Sequence, residues 1–302
     1  MCRDSLKINL FFVIDIGDDF MIELDEDILS ELRPLFLEML LEVDRICRKH
    51  DIKYSLDSGT LIGAVRHGGF IPWDADADVS MLRSEYEKFF EVCKTELNTE
   101  KFFLQDFRTD KEYRWGFPKI RYNDTVFLRA GQECGKWHPG IFIDIFVYDG
   151  VPDNYFLRRL HLFVCYCIRK GLYSVFGQYN ANSLLLRYWY KLLYAVPRDA
   201  WVWAFNQMVS ISNQHKHQLA RHLTYPYLKE TEQGMPRKYG MPRVCFDEYQ
   251  DMIFAKHVFK VFKNYDYYLR SMYDDYMTLP PIDERRAEPL SVLKLPGQEI
   301  IR

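Results

Sequence analysis

Apolar residues recur at Leu35, Phe36, Met39, Leu40, Val43 and Ile46, the spacing of one face of an amphipathic helix, which predicts a helix over 34–50 with Pro34 in its first turn. The period then shortens. Residues 52–56 read as a strand, Ser58-Gly59-Thr60 as a turn, and Leu61 to Val65 as a short helix starting on that turn. Ala77, Val79 and Met81 alternate with Asp76, Asp78 and Ser80, so a half-buried strand is expected there, followed by a helix from about 84 to 97. Further strands are expected at 102–104, 119–122, 125–128 and 141–147. Beyond Pro152 the pattern turns to aromatic-rich helical stretches at 155–175, 183–194 and 200–221, broken near Gly177 and Pro197. A last helix has Asn264 as its N-cap, Asp266 in its first turn and Pro280-Pro281 as its stop. The pattern predicts an α+β chain: an extension at 1–23, a mixed region at 24–150 and a mainly helical subdomain at 151–302.

Composition narrows the class. The 302 residues are 48% apolar and include 22 Phe, 21 Tyr and 6 Trp, which excludes a disordered chain. A formal net charge of −3 argues against a dedicated nucleic-acid binder. Seven scattered Cys lack the paired spacing of a disulfide or zinc scaffold, so a reducing, cytoplasmic setting is expected. The apolar run Leu10 to Ile14 is too short for an export signal, and Met21 offers a second start, so residues 1–20 read as an upstream extension.

Trp73-Asp74-Ala75-Asp76-Ala77-Asp78-Val79 carries the densest chemical signal. Acids at period two project from one side of an extended chain, where like charges repel unless a cation joins them. A hard divalent ion, Mg²⁺ or Mn²⁺, suits such oxygens. Alone, two spaced Asp are no more distinctive than a solvated turn. An EF-hand reading fails because Val79 stands where the calcium loop needs Gly. Asp144 is a single acid inside the apolar run Ile141 to Val147, and a lone carboxylate in a central strand needs compensation; a metal shared with Asp76 and Asp78 supplies it. The turn Asp57-Ser58-Gly59-Thr60 opens a helix whose free N–H groups favour an anion.

The order of these parts, and above all the run Tyr54 to Val79 with Leu56-Asp57-Ser58-Gly59-Thr60-Leu61-Ile62-Gly63-Ala64-Val65-Arg66-His67-Gly68 at its centre, resembles the LicD family, which includes fukutin and fukutin-related protein. Gly140 to Phe146 and the late segments Tyr265 to Leu269 and Asp275 to Pro281 fit the same pattern, so the likeness spans roughly 30–285. Ala75 departs from it, where the family often has Asp, and Thr60 stands where the wider superfamily often has Ser. The resemblance implies a nucleotidyltransferase-like mixed sheet flanked by helices, with a C-terminal helical subdomain. It implies metal-dependent transfer of a phospho-alcohol, phosphocholine first and ribitol or glycerol phosphate next, from a CDP-activated donor to a hydroxyl of a cell-surface glycan such as lipopolysaccharide or teichoic acid, or its lipid-linked precursor, with release of CMP. In that scheme Asp76, Asp78 and Asp144 are catalytic, Asp74 joins them as metal ligands, and Ser58, Gly59, Thr60, Arg66, Lys119 and Arg121 bind substrate. The rivals are a nucleotidyltransferase that releases pyrophosphate and a silent binding protein of the same fold.

Residues 151–220 carry eight Lys and Arg against two Asp, a net of +6 that leaves about −9 for the rest. With Tyr188, Trp189, Tyr190, Trp201 and Trp203 interleaved, this stretch reads either as a surface resting peripherally on the cytoplasmic membrane or as an aromatic core with a solvated basic face.

Overall fold

The computed structural model describes residues 21–224 and 239–301, so the expected extension at 1–20 lies outside the described residues. Helix α1 (Glu26–Lys49) begins eight residues earlier than the hydrophobic spacing predicted, because the Asp25 carboxylate accepts from the Ile28 N–H and Glu26 and Asp27 fill the first turn. Pro34 is therefore interior. The buried stripe from Leu29 through Phe36, Leu40 and Val43 to Cys47 is the face the spacing predicted, extended by two turns.

Strand β1 (Ser55–Leu56) leads into α2 (Ser58–His67), then β2 (Asp78–Leu82), α3 (Arg83–Glu96), β3 (Phe102–Gln105), β4 (Lys119–Tyr122), β5 (Val126–Arg129) and β6 (Phe142–Val151). The central sheet runs β1-β2-β6-β4-β3, with β2 parallel to β6 and the other neighbours antiparallel. All ten residues of β6 are buried. Side chains alternate across a strand, so Ile143, Ile145 and Val147 take one face and Phe142, Asp144, Phe146 and Tyr148 the other. The first face, continued by Val79, Met81 and Ile120, lies in the main core against α1 and α3.

After β6 come α4 (Tyr155–Asn180), α5 (Leu184–Ala195) and α6 (Arg198–Ser212). α4 runs straight through Gly177, where a break was expected, because Gly177 leaves room for the Tyr190 ring: a Cβ there would lie 2.5 Å from it. The helix expected over 200–221 ends at Ser212. Residues from 219 on are drawn into the sheet instead, as β7 (Leu219–Arg221) pairs with the far end of β6, and β8 (Met241–Pro242) with β7. The hairpin β9 (Tyr249–Phe254) and β10 (His257–Phe262) follows, then α7 (Tyr265–Tyr273) and β11 (Leu290–Lys294), which pairs with β5. The second half is thus mainly helical only to Ser212; beyond it α7 is the one α-helix among the described residues, and Phe254, Phe259, Phe262, Tyr268 and Leu293 join the main core. Asn264 precedes α7 as expected, but its side chain makes no capping bond.

No helix among the described residues is long and apolar enough to cross a membrane. The six described cysteines are all free.

Candidate active site

The register of the sheet draws one polar row across its second face. Asp57, just past β1, donates its N–H to the Asp78 carbonyl (3.0 Å); Asp78 pairs with Asp144, Asp144 with Lys119, and Lys119 with Gln105. Paired residues on neighbouring strands point the same way, so three acids, a cation and an amide stand side by side on one face. Acids separated by 66 positions in sequence, Asp78 and Asp144, become direct neighbours.

Five hydrogen bonds fix the row. The Thr60 hydroxyl accepts from the Asp78 N–H at 2.8 Å and so locks the first turn of α2 to the start of β2. The Asp144 N–H donates to the Ala77 carbonyl at 2.9 Å, holding the extended run 74–77 against β6. Asp57 accepts from the Ser58 N–H at 2.7 Å and from the Tyr268 hydroxyl at 2.5 Å, and Tyr268 is in turn bonded to Tyr148 at 2.7 Å. The second Asp57 oxygen, Oδ2, is buried with no hydrogen-bond partner.

The charges are in conflict. Burial raises Asp78 well above the ordinary carboxylate range, and the neighbouring Asp76, Asp144, Asp57 and Asp74 push it further. Asp74 is raised by burial and then by Asp76. Burial brings Asp57 to about 6 despite the Tyr268 and Ser58 hydrogen bonds. Two cations, Lys119 buried and Arg129 half-buried, answer part of this excess. Lys119 pairs with Asp144 and sits 3.5 Å from the centre of the Phe142 ring; burial pulls it down to about 7 against the pull of Asp144. Arg129 reaches Asp76 at 2.9 Å, and the charges of Asp76, Asp144 and Glu288 outweigh its burial and keep it above its ordinary value.

Among the described residues, no three His, Cys, Asp or Glu side chains are arranged to hold a metal ion. Asp144 pairs with Lys119 and Asp76 with Arg129. The residues nevertheless suit a divalent cation: an acid-rich row, an orphaned carboxylate oxygen at Asp57, and a buried Asp78 carboxylate pressed most strongly by four other acids.

The other expected site residues are placed as follows. Gly59 lies directly against Asp74, since a Cβ on it would meet Asp74 Oδ2 at 2.4 Å and the carboxylate would have to shift. Ser58 holds a left-handed φ of 47° at the same turn. Arg66 Nη1 donates to the carbonyls of Tyr276 at 2.7 Å and Thr278 at 3.3 Å, which ties α2 to the chain after α7. Arg121 is buried and donates to Gln105 and the Gly140 carbonyl. The sequence pattern missed Arg129, whose pairing strand β11 lies more than 150 residues on, and the Tyr268–Tyr148 support of Asp57. The Asp57-Ser58-Gly59-Thr60 turn was the one local signal for the latter.

Residues 51–155 match a family model described as the LicD/FKTN/FKRP nucleotidyltransferase domain. The chain is 31% identical over 278 residues to the lipopolysaccharide cholinephosphotransferase LicD of Haemophilus influenzae, covering 85% of this chain and 94% of that protein. It is also 26% identical over 172 residues to an uncharacterised protein of Rickettsia typhi, covering 53% of this chain and 47% of that one. A buried acidic row on one face of a mixed sheet, inside a match that runs nearly end to end along a LicD protein, leads to one conclusion: the chain belongs to the LicD family.

Proposed function

We propose that this transferase moves phosphocholine, or in its place ribitol or glycerol phosphate, from a CDP-activated donor to a hydroxyl of a cell-surface glycan or its lipid-linked precursor. The observation that carries the reading is the register pairing of Asp78 with Asp144 beside Asp57 and Asp76, in a match to a protein named as a cholinephosphotransferase.

Asp76 and Asp78 would hold Mg²⁺ or Mn²⁺, with Asp74 or Asp144 as a further ligand. The ion would supply countercharge for the donor diphosphate and for the charge that develops on the leaving CMP. The N–H groups at the head of α2, at Gly59 and Thr60, receive phosphate oxygens beside Asp74. Asp144 is placed to take the proton of the attacking hydroxyl, with the buried Lys119 paired beside it. The hydroxyl oxygen bonds to the distal phosphorus, the bond to CMP breaks, and the proton leaves with Asp144. Arg121 shapes this wall of the site from beneath, through Gln105. Work at a lipid-linked acceptor implies a peripheral contact with the cytoplasmic membrane.

The test is CMP release from CDP-choline, CDP-ribitol and CDP-glycerol with added Mg²⁺ or Mn²⁺. Turnover of one donor, abolished in Asp76→Ala and Asp78→Ala with folding intact, supports the reading. Release of pyrophosphate from a nucleoside triphosphate would replace it with nucleotidyl transfer, and normal turnover in either variant would remove these acids from the site.

A further inference from the structure

The helices after β6 carry most of the exposed large apolar side chains among the described residues. On α4, Phe156, Leu160 and Phe163 recur at helical spacing on one exposed face; Phe156 is 79% exposed. On α5 only Tyr190 is buried, while Leu185 is 82% exposed and Trp189 and Leu192 are open beside it. Scattered apolar side chains are ordinary on a surface; stripes on two successive helices that pack on each other mark an interaction site.

The charge of the same segment selects the occupant. Residues 155–196 contain six Lys and Arg and no Asp or Glu. Several of these cations lie over tyrosine rings of their own helix, Arg159 over Tyr155 at 5.7 Å and Lys191 over Tyr188 at 5.4 Å, an arrangement that keeps the charge at the edge of an apolar surface. Leucine and aromatic side chains flanked by cations, with no anion, complement a layer whose surface is negative and whose interior is hydrocarbon. At ~1.5 Å per residue the 12 residues of α5 extend only about 18 Å, against ~30 Å for a bilayer core, so the helix lies on the surface and does not span it.

We propose that the α4–α5 hairpin docks this protein on an anionic lipid bilayer, with Leu185, Trp189 and Leu192 entering the interface and Arg187 and Lys191 meeting lipid phosphates. The hairpin is joined to the acidic row by packed rings. Tyr190 meets Tyr173 (5.8 Å between centres), Tyr173 meets Trp115 (6.1 Å), Trp115 meets Phe117 (6.2 Å), and Phe117 lies under Lys119. Docking there holds the site close to the headgroup layer. The proposal draws on the reading of the site only for the reason such docking is useful; the docking itself is measured without any substrate.

The experiment is co-sedimentation of the full chain with vesicles of phosphatidylcholine alone and of phosphatidylcholine mixed with phosphatidylglycerol, with light scattering to record oligomeric state. Wild type is expected on the mixed vesicles at least tenfold more tightly than on the neutral ones. Arg187→Glu with Lys191→Glu is expected to remove that preference, and Leu185→Ser with Trp189→Ser to weaken binding about tenfold, each with an unchanged circular dichroism spectrum and melting temperature. Asp78→Ala is expected to bind vesicles as wild type does, so a failed catalytic reading leaves this result standing. Equal binding to both vesicles, or none, overturns the proposal. So does a dimer that the Leu185→Ser and Trp189→Ser pair converts to a monomer, since the stripe would then be covered by a second copy.

Discussion

The two faces of the central sheet are built from the same strands and do opposite work. On one face Ile143, Ile145, Ile120, Val79 and Met81 are almost wholly withdrawn from water against α1 and α3. On the other, one residue away along each strand, stand Asp144, Asp78 and Lys119. Transfer of apolar surface stabilises the first face by roughly 25 cal/mol per Å². The second buries charge, which costs free energy, and does so where like charges adjoin. A ten-residue strand such as β6 holds both because alternation lets a single acid enter an apolar run without disturbing the opposite side. The stability made on one face is what allows charge conflict to persist on the other.

Removing charge from the acidic face tests that division most strongly. Asp78→Asn is expected to lower kcat by ~10³ or more, about 4 kcal/mol of transition-state stabilisation. The same change leaves the melting temperature equal or higher, because it relieves repulsion from four neighbouring acids. CMP release and thermal unfolding measured on one preparation check both halves. A variant that unfolds would mean that the acid is structural.

The mirror experiment is Ile145→Ala on the apolar face. The side chain is fully buried, so a loss of about 3 to 5 kcal/mol in unfolding free energy is expected from the lost transfer and the cavity. Turnover per folded molecule should not change at a temperature where the variant remains native. A fall in kcat without a fall in stability would show that the two faces are mechanically coupled.

Much of this division was legible from spacing. The alternation around Asp76 to Met81 and the apolar run holding Asp144 located the two strands that carry Asp78 and Asp144, and the helical period located α1 and α3. What spacing could not give was partnership. That β2 and β6 lie side by side and parallel, and that Lys119 and Arg129 answer the acids, depends on which strands pair, and pairing is a property of the whole chain. The strands after Ser212 were missed for a related reason: β7 is three residues long and is stabilised by β6, not by its own sequence. Arg66 shows a different limit. It sits within the most recognisable run of the sequence, yet spacing gave no sign that its Nη1 donates to the Tyr276 and Thr278 carbonyls, some 210 residues on.

A pH titration sharpens the comparison at Asp57. Its carboxyl is raised from 3.8 to about 6 in the folded protein, chiefly by burial. Between those values the native state binds a proton that the unfolded chain has released, so stability falls as pH rises from about 4 to about 6 and is level above. One proton contributes a slope of about 1.4 kcal/mol per pH unit, up to roughly 3 kcal/mol over the interval. Asp57→Asn keeps an oxygen to accept from Tyr268 and the Ser58 N–H, and it should remove one proton's worth of that slope. Urea unfolding at several pH values, wild type against variant, measures the difference. An unchanged slope would mean that Asp57 is ionised throughout.

The smallest effect is expected at the rim of the acidic face. Arg129 and Asp76 form an ion pair whose side chains are 26% and 30% exposed. Water screens such a pair, and ordering two side chains offsets much of its attraction, so Arg129→Gln should change unfolding free energy by about 0.5 kcal/mol and by less in high salt. Both partners keep access to solvent after the change, unlike Lys119, whose removal would leave Asp144 buried beside Asp78 without its cation. Chemical denaturation of Arg129→Gln beside Lys119→Met therefore ranks the two cations by burial alone. Near-equal losses would mean that the acidic face is held together by charge as firmly as its opposite is by apolar packing, and the contrast between the faces would fail.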